Sequence, residues 1–340
     1  MGPKYTDIYI IRDNALKQRE FIALNHAFKA ADIPMAPIKG VALLYELNSY
    51  AETRPMADID ILVKKEDVDK AKDLLSGLNY KIQDKRFSEN YYLNSYHHLP
   101  FHGKYLLELH WYLSPPRPNN IILPELWARV RQIQYGKDIA TLLSAEDTIF
   151  SLVLHLRRFN DPFSIKYIQD ISEVLKKHGT SLDWQYISKY SGLNRLNSLI
   201  YYTLLSIKIK LGWPVSIKTI NIFHPGILRA FLLKFFINAA QSVIASDQRE
   251  RSNLKISDCF CTSCLTMTKI RKYAYVFLRF LLYDRLWDFL KFIILIPEEE
   301  FSRFYSIRFP SKKSSIIYTL RFLSIPFLFL CIKPSRKPSI

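Results

Sequence analysis

At 340 residues, with 49% hydrophobic and 14% aromatic content and only 9 glycines, the chain is long enough for two substantial cores, and this composition excludes a disordered polymer. Its 48 Lys and Arg outweigh 31 Asp and Glu to leave a net charge of +17, which favours phosphate-rich ligands, nucleic acid or an anionic membrane surface as partners. Four cysteines, three of them clustered, and the lack of an opening signal peptide argue against a disulfide framework and predict a reduced, cytoplasmic setting.

Helical spacing of Leu16, Ile22, Leu24, Ala27 and Phe28 predicts an amphipathic helix over 14–31, ended by Asp32-Ile33-Pro34. A short strand over 35–38 then leads into Pro37-Ile38-Lys39-Gly40, which reads as a strand end and a glycine turn. The helix that follows, from Val41 to Leu47, would turn its first backbone N–H groups toward a phosphate, with Lys39 adding positive charge there. Arg54, four residues before Asp58, supplies a loop cation able to grip a polyphosphate through two parallel hydrogen bonds.

The run Ala57-Asp58-Ile59-Asp60-Ile61-Leu62-Val63 alternates as a strand does, so Asp58 and Asp60 share one side while Ile59 and Ile61 anchor the other. Two carboxylates held this way suit Mg²⁺, which takes oxygen ligands and is commonly shared between protein carboxylates and substrate phosphates. A charged helix through Leu75, ended at Gly77, and a strand over 79–83 follow.

Tyr105 to Trp111 reads as a strand with Leu106, Glu108 and His110 on one face. Glu108 is then a third carboxylate, able to ligate metal beside Asp58 and Asp60 or to accept the proton of an attacking hydroxyl. His97, His98 and His102 precede it, and with His110 they raise the question of a zinc site. There is no helical H-x-x-x-H and no neighbouring cysteine, so they read as polar strand residues near an acceptor.

From 123 onward the pattern predicts helices over 123–130, 145–158, 165–177, 184–190 and 195–211, with Ser144 capping the second. They read as a helical substrate-binding domain that closes a cleft. His155 either faces that cleft, sits in the core, or offsets a helix C-terminus. Apolar residues over 231–244 predict one more helix. Cys259, Cys261 and Cys264 lack a fourth ligand and read as unligated. The tail over 269–337 interleaves Arg and Lys with aromatic residues. Its apolar stretch over 316–332 is broken by Arg321 and Pro326, which leaves either a helical extension or an amphipathic element on an anionic membrane surface.

Four of these motifs, in this order and spacing, carry a resemblance: Pro37-Ile38-Lys39-Gly40 with its helix, Arg54-Pro55-Met56-Ala57-Asp58-Ile59-Asp60-Ile61-Leu62-Val63, His98-Leu99-Pro100, and Glu108-Leu109-His110-Trp111. The chain resembles the uncharacterised nucleotidyltransferase family within the polymerase-β-like superfamily, over roughly 15–210 and more loosely over 283–305. The resemblance implies an α/β (α+β) fold, a mixed sheet flanked by helices and followed by a helical domain. The change of pattern along the chain divides it into a catalytic domain over 1–122, a helical domain over 123–245 and a basic aromatic extension over 265–340. The resemblance also implies transfer of a nucleoside monophosphate from an NTP to an acceptor, with Mg²⁺ on Asp58, Asp60 and Glu108. Lys39, Gly40 and Arg54 would bind the nucleotide, and His98, His110 and His155 would line the acceptor cleft. Many superfamily members place Gly-Ser or Gly-Gly at the phosphate turn where this chain has Gly40-Val41, which removes a hydroxyl donor. Two other classes compete: a silent scaffold that keeps the fold, and a nucleic-acid binder, for which no recognised motif is present.

Overall fold

In this computed structural model, residues 5–47, 53–83, 87–117, 119–135, 137–158, 165–238, 277–295, 297 and 299–300 are described. The chain divides into two compact units, Met1–Arg158 with Ile165–Asn194, and Phe159–Ser164 with Arg195–Ile340.

The first unit is built on a five-stranded mixed sheet: β1 (Met35–Pro37), β2 (Ile59–Val63), β3 (Lys81–Ile82), β4 (His98–His102) and β5 (Leu106–His110), in the order β1-β2-β5-β4-β3. The fold is α+β, as the sequence predicts. β2 runs parallel to β5, and the other pairs are antiparallel. Ile59, Ile61 and Val63 are fully buried, and so are Leu99 and Leu109, because these strands carry apolar residues at the period-2 positions that must leave water.

Helix α1 (Tyr5–Ala30) starts well before the predicted Asn14, with Phe21, Leu24 and Phe28 buried. Helix α2 (Lys39–Leu47) packs on β1 and β2 and is buried along most of its length. Helix α3 (Val68–Gly77) takes its left-handed stop from Asn79 (φ 64°), two residues past Gly77, where the sequence predicts the glycine to close it. Ser88 caps α4 (Glu89–Ser95) by accepting from the Tyr91 N–H.

The predicted helix over 123–130 is a set of turns, with the Leu126 N–H donating to the Leu123 carbonyl and the Arg129 N–H to Glu125. Tertiary partners hold its ends: Asn194 bonds both backbone groups of Ile122, and Arg129 pairs with Glu146 while lying 3.9 Å over the Tyr186 ring. The following residues form a hairpin, β6 (Arg131–Tyr135) with β7 (Asp138–Leu142), which packs on β1 and α1.

Helices α5 (Ala145–Arg158), α6 (Ile165–His178) and α7 (Trp184–Leu193) group with the sheet. Ser144 and Asp147 cap α5 reciprocally: the Ser144 hydroxyl accepts from the Asp147 N–H and donates to its carboxylate.

The second unit contains α8 (Asn197–Leu211), a short helix α9 (Ile217–Asn221), and helical segments over 227–238, 277–281 and Leu286–Ile294. Asp284 caps α8, accepting from the N–H groups of Asn197 and Ser198 at 2.9 and 2.6 Å, and Arg195 pairs with Asp288. In the described part of the basic, aromatic tail, buried Tyr283 and half-buried Phe280 pack on the buried Phe289. The cysteine cluster, the segment over 316–332 and most of the basic extension lie outside the described residues. Among the described residues, no helix is long and apolar enough to cross a membrane.

Candidate active site

Register brings the acidic residues together. Parallel pairing of β2 with β5 sets Asp60 beside Glu108 and Leu62 beside His110, while antiparallel pairing of β4 with β5 sets His98 beside His110. Asp60, Glu108, His110 and His98 thus form a polar row across three central strands. Asp58 stands immediately before β2, at the entrance to the row.

Lys39 enters this row from the side. β1 ends at Pro37, the Ile38 N–H donates to the Asp60 carbonyl at 3.1 Å, and Lys39 then takes φ 54°, turning the chain from strand into α2. A lysine in the left-handed region is strained, and such strain clusters at sites that over-determine it. Its buried ammonium lies 2.6 Å from Asp60 Oδ1 and 3.3 Å from Glu108 Oε2. His110 Nε2 lies 3.0 and 3.1 Å from the same two carboxylates, and His98 Nε2 lies 3.4 Å from Glu108 Oε1. The buried His110 Nδ1 has no hydrogen-bond partner among the described residues. His97, which reads in the sequence as a polar residue near the acceptor, lies 3.4 Å from His98 through Nε2 and Nδ1.

The electrostatics are those of crowded carboxylates. Burial, then the charges of Asp60 and Glu108, push Asp58 up to about 7, with Lys39 opposing. Burial also pushes Glu108 upward, but His98, Lys39 and His110 outweigh it and hold its carboxyl well below the usual range. The donor set fits a divalent cation: ligand atoms of Asp60, Glu108 and His110 lie within 4.8 Å of one another, and a buried ammonium already stands among them. Those of His97, His98 and His110 meet the same distance, a grouping the sequence reading discounted.

Gly40 follows Lys39 where the chain packs closely against Met56 and Arg54. A Cβ would stand 2.7 Å from Met56 Sδ, 2.9 Å from Met56 Cγ and 3.3 Å from Arg54 Nη1. Arg54 itself grips Asp170 of α6 with two parallel bonds, Nε to Oδ1 at 2.6 Å and Nη2 to Oδ2 at 2.7 Å. The rest of the loop is held at its carbonyls, Arg54 by Asn14, Pro55 by Lys166 and Met56 by Lys17, each at 2.8 Å. Two elements therefore aim the loop that delivers Asp58: α1 through Asn14 and Lys17, and α6 through Lys166 and Asp170.

His155 lies on α5, with its ring edge-on to Tyr167 of α6 at 4.9 Å. Burial pushes the Tyr167 phenol up, and its surroundings include the charges of Arg54, Asp170 and Asp58. Asp170, Lys166 and Tyr167 are site neighbours that the sequence reading missed. Asp170 was open to detection: it stands on the apolar face of α6 with Ile168, Ile171 and Val174, where an acid needs a partner. Glu46 at the end of α2 was also missed. It is 2% exposed and joins Arg131 of β6 at 2.6 Å to Lys177 and His178 of α6.

A search of solved structures returns the antibiotic-resistance factor ANT(2'')-Ia, known from a solution structure, at 15% identity and a TM-score of 0.37, covering 52% of this chain and 92% of that one. No curated protein matches the chain. The sequence profile of the uncharacterised nucleotidyltransferases matches residues 7–211, which contain the whole row of acids and histidines, and the chain belongs to that family.

Proposed function

We propose that the chain transfers a nucleoside monophosphate from an NTP to an acceptor hydroxyl or amine, and that it does so with Mg²⁺ on Asp58, Asp60 and Glu108. The observation that carries this reading is the register pairing of Asp60 with Glu108, with Asp58 at the strand entrance and the buried Lys39 ammonium between Asp60 and Glu108. Bound there, a divalent ion would bridge the triphosphate to the protein and offset charge developing on the leaving oxygens.

The residues have distinct tasks in this reading. Asp60, fixed on β2 between Lys39 and His110, orients the site, and Asp58 completes it from the loop. Glu108 receives the acceptor's proton or shares the cation. Lys39 and the first N–H groups of α2 meet the phosphates, while Met56 packs over Gly40. Arg54 faces the same turn while Asp170 holds its fork in place. His98 and His110 line the acceptor side, and His155 with Tyr167 forms a second wall from the helices.

One observation favours a silent scaffold instead: Lys39 is paired with Asp60 and Arg54 with Asp170, so the cations suited to phosphate already have anionic partners. Mg²⁺-dependent pyrophosphate release from each NTP, in the presence of a pool of small metabolites, separates the readings. The transferase reading expects release by wild type and none by Asp60→Asn. Equal release by both proteins, or none by folded wild type, would overturn it.

A further inference from the structure

Lys39 occupies an unusual position for a phosphate-binding lysine. Its ammonium does not project from the turn but is drawn inward, 2.6 Å from Asp60 Oδ1, 3.3 Å from Glu108 Oε2 and 3.4 Å from His110 Nε2, with the side chain 9% exposed. Two of those three groups are the strand carboxylates suited to a divalent cation. A monovalent ammonium and a divalent cation held against the same two carboxylates repel each other strongly in a buried site, so each weakens the hold on the other. The backbone reinforces the inward pose: φ 54° at Lys39 is held by the Ile38 N–H to Asp60 carbonyl bond on one side and by the Gly40 to Met56 contact on the other.

We infer that Lys39 is the resident counter-ion of the carboxylate row, and that a divalent cation enters only together with a triphosphate, which takes the ammonium over. The inference rests on the nucleotidyl-transfer reading and adds an order of assembly to it. Without nucleotide, Lys39 neutralises Asp60 and Glu108 and keeps a buried acidic row stable, since unpaired buried charges are costly. The triphosphate, with charge in excess of the metal it carries, offers the ammonium a new partner at the α2 N-terminus and leaves the carboxylates to the cation. Lys39 thereby guards against unproductive metal binding and makes cation affinity depend on the nucleotide. By linkage, removing the ammonium must raise the affinity for cation alone while lowering the affinity for nucleotide.

The test uses the full chain and Mn²⁺ as probe, with binding read by electron paramagnetic resonance and no turnover required. Wild type, Lys39→Met and Lys39→Gln are titrated with Mn²⁺ alone, then with Mn²⁺ and α,β-methylene-ATP. The expected result is weak Mn²⁺ binding by wild type, at least tenfold tighter Mn²⁺ binding by both variants, and weaker binding of the analogue by both. These opposite signs distinguish the counter-ion from a purely structural lysine, whose loss would weaken both ligands. Unchanged or weaker Mn²⁺ binding by folded variants would overturn the inference. So would micromolar Mn²⁺ binding by wild type without nucleotide, a result that needs no variant to fold. Failure of wild type to bind any nucleotide would instead sink the nucleotidyl-transfer reading, with the Mn²⁺ comparison still deciding the role of Lys39.

Discussion

Substituting Gly40 by alanine gives the sharpest structural test of how the turn is built. The added Cβ meets Met56 Sδ at 2.7 Å and Cγ at 2.9 Å, well inside van der Waals contact, and Arg54 Nη1 at 3.3 Å. Met56 is 7% exposed and its carbonyl is held by Lys17, so it has little room to retreat. Overpacking of this kind costs about 1–3 kcal/mol. Alanine returns up to about 1 kcal/mol of helix propensity at the start of α2. Gly40→Ala should therefore destabilise the first unit by about 1–2 kcal/mol. Met56→Ala alone should cost about 2–5 kcal/mol through lost packing. In the Met56→Ala background, however, the space above residue 40 is open, so alanine there becomes neutral or mildly stabilising. The coupling between the two changes should be about 1–3 kcal/mol in favour of the double variant. Amide hydrogen exchange across α2 and β2 reads the first unit without contributions from the second. If Gly40→Ala costs the same in both backgrounds, within about 0.5 kcal/mol, the steric account of this glycine is wrong.

Three further outcomes follow from the ion pairs. Glu46→Gln should destabilise the first unit by about 2–3 kcal/mol, less than a fully buried pair because Arg131 is about a third exposed. Burial pushes the Glu46 carboxyl up, but hydrogen bonds from Arg131 and His178 and their charges outweigh it, so it titrates below the usual 4.5. Its stabilisation is thus complete above about pH 4.5 and lost as pH falls through the lower folded value, so the stability gap between wild type and Glu46→Gln should close in acid; a constant gap in urea titrations would refute this. Asp170→Asn breaks the two-pronged contact with Arg54 and should weaken NTP binding about tenfold by calorimetry while α5 and α7 keep their exchange protection; unchanged affinity would show that the pair does not position the loop. Arg54→Lys should behave like Asp170→Asn, because one ammonium cannot reproduce the planar fork, and wild-type affinity in this variant would contradict that geometry.

The sheet and its acids were legible because period-2 patterning over 57–63 and 105–111 sets the acids on one face and the apolar anchors on the other, so sliding either strand by one residue would exchange the two faces. What patterning did not show was pairing across long sequence separations. Arg54 reads as a cation awaiting phosphate, yet its partner is Asp170, 116 residues away. Lys39 reads as a positive charge at the phosphate turn, and only the meeting of β2 and β5 shows a carboxylate within reach. The hairpin over 131–142 was hidden for a different reason. Its alternation, Gln132 and Gln134 against Ile133 and Tyr135, is visible, but it follows an apolar run that reads locally as helix until Asn194 and Glu146 claim its ends. The capping of α5 by Ser144 and Asp147, being entirely local, was read correctly.

In this reading Asp58 and Asp60 hold a cation on which an NTP is bound. Calorimetric titration of each of the four NTPs, with and without Mg²⁺, into wild type and into an Asp58→Asn/Asp60→Asn double variant tests it most directly. Binding to wild type should require Mg²⁺ and be lost in a double variant that remains folded. Failure of folded wild type to bind any NTP, or equal binding by the double variant, would contradict it.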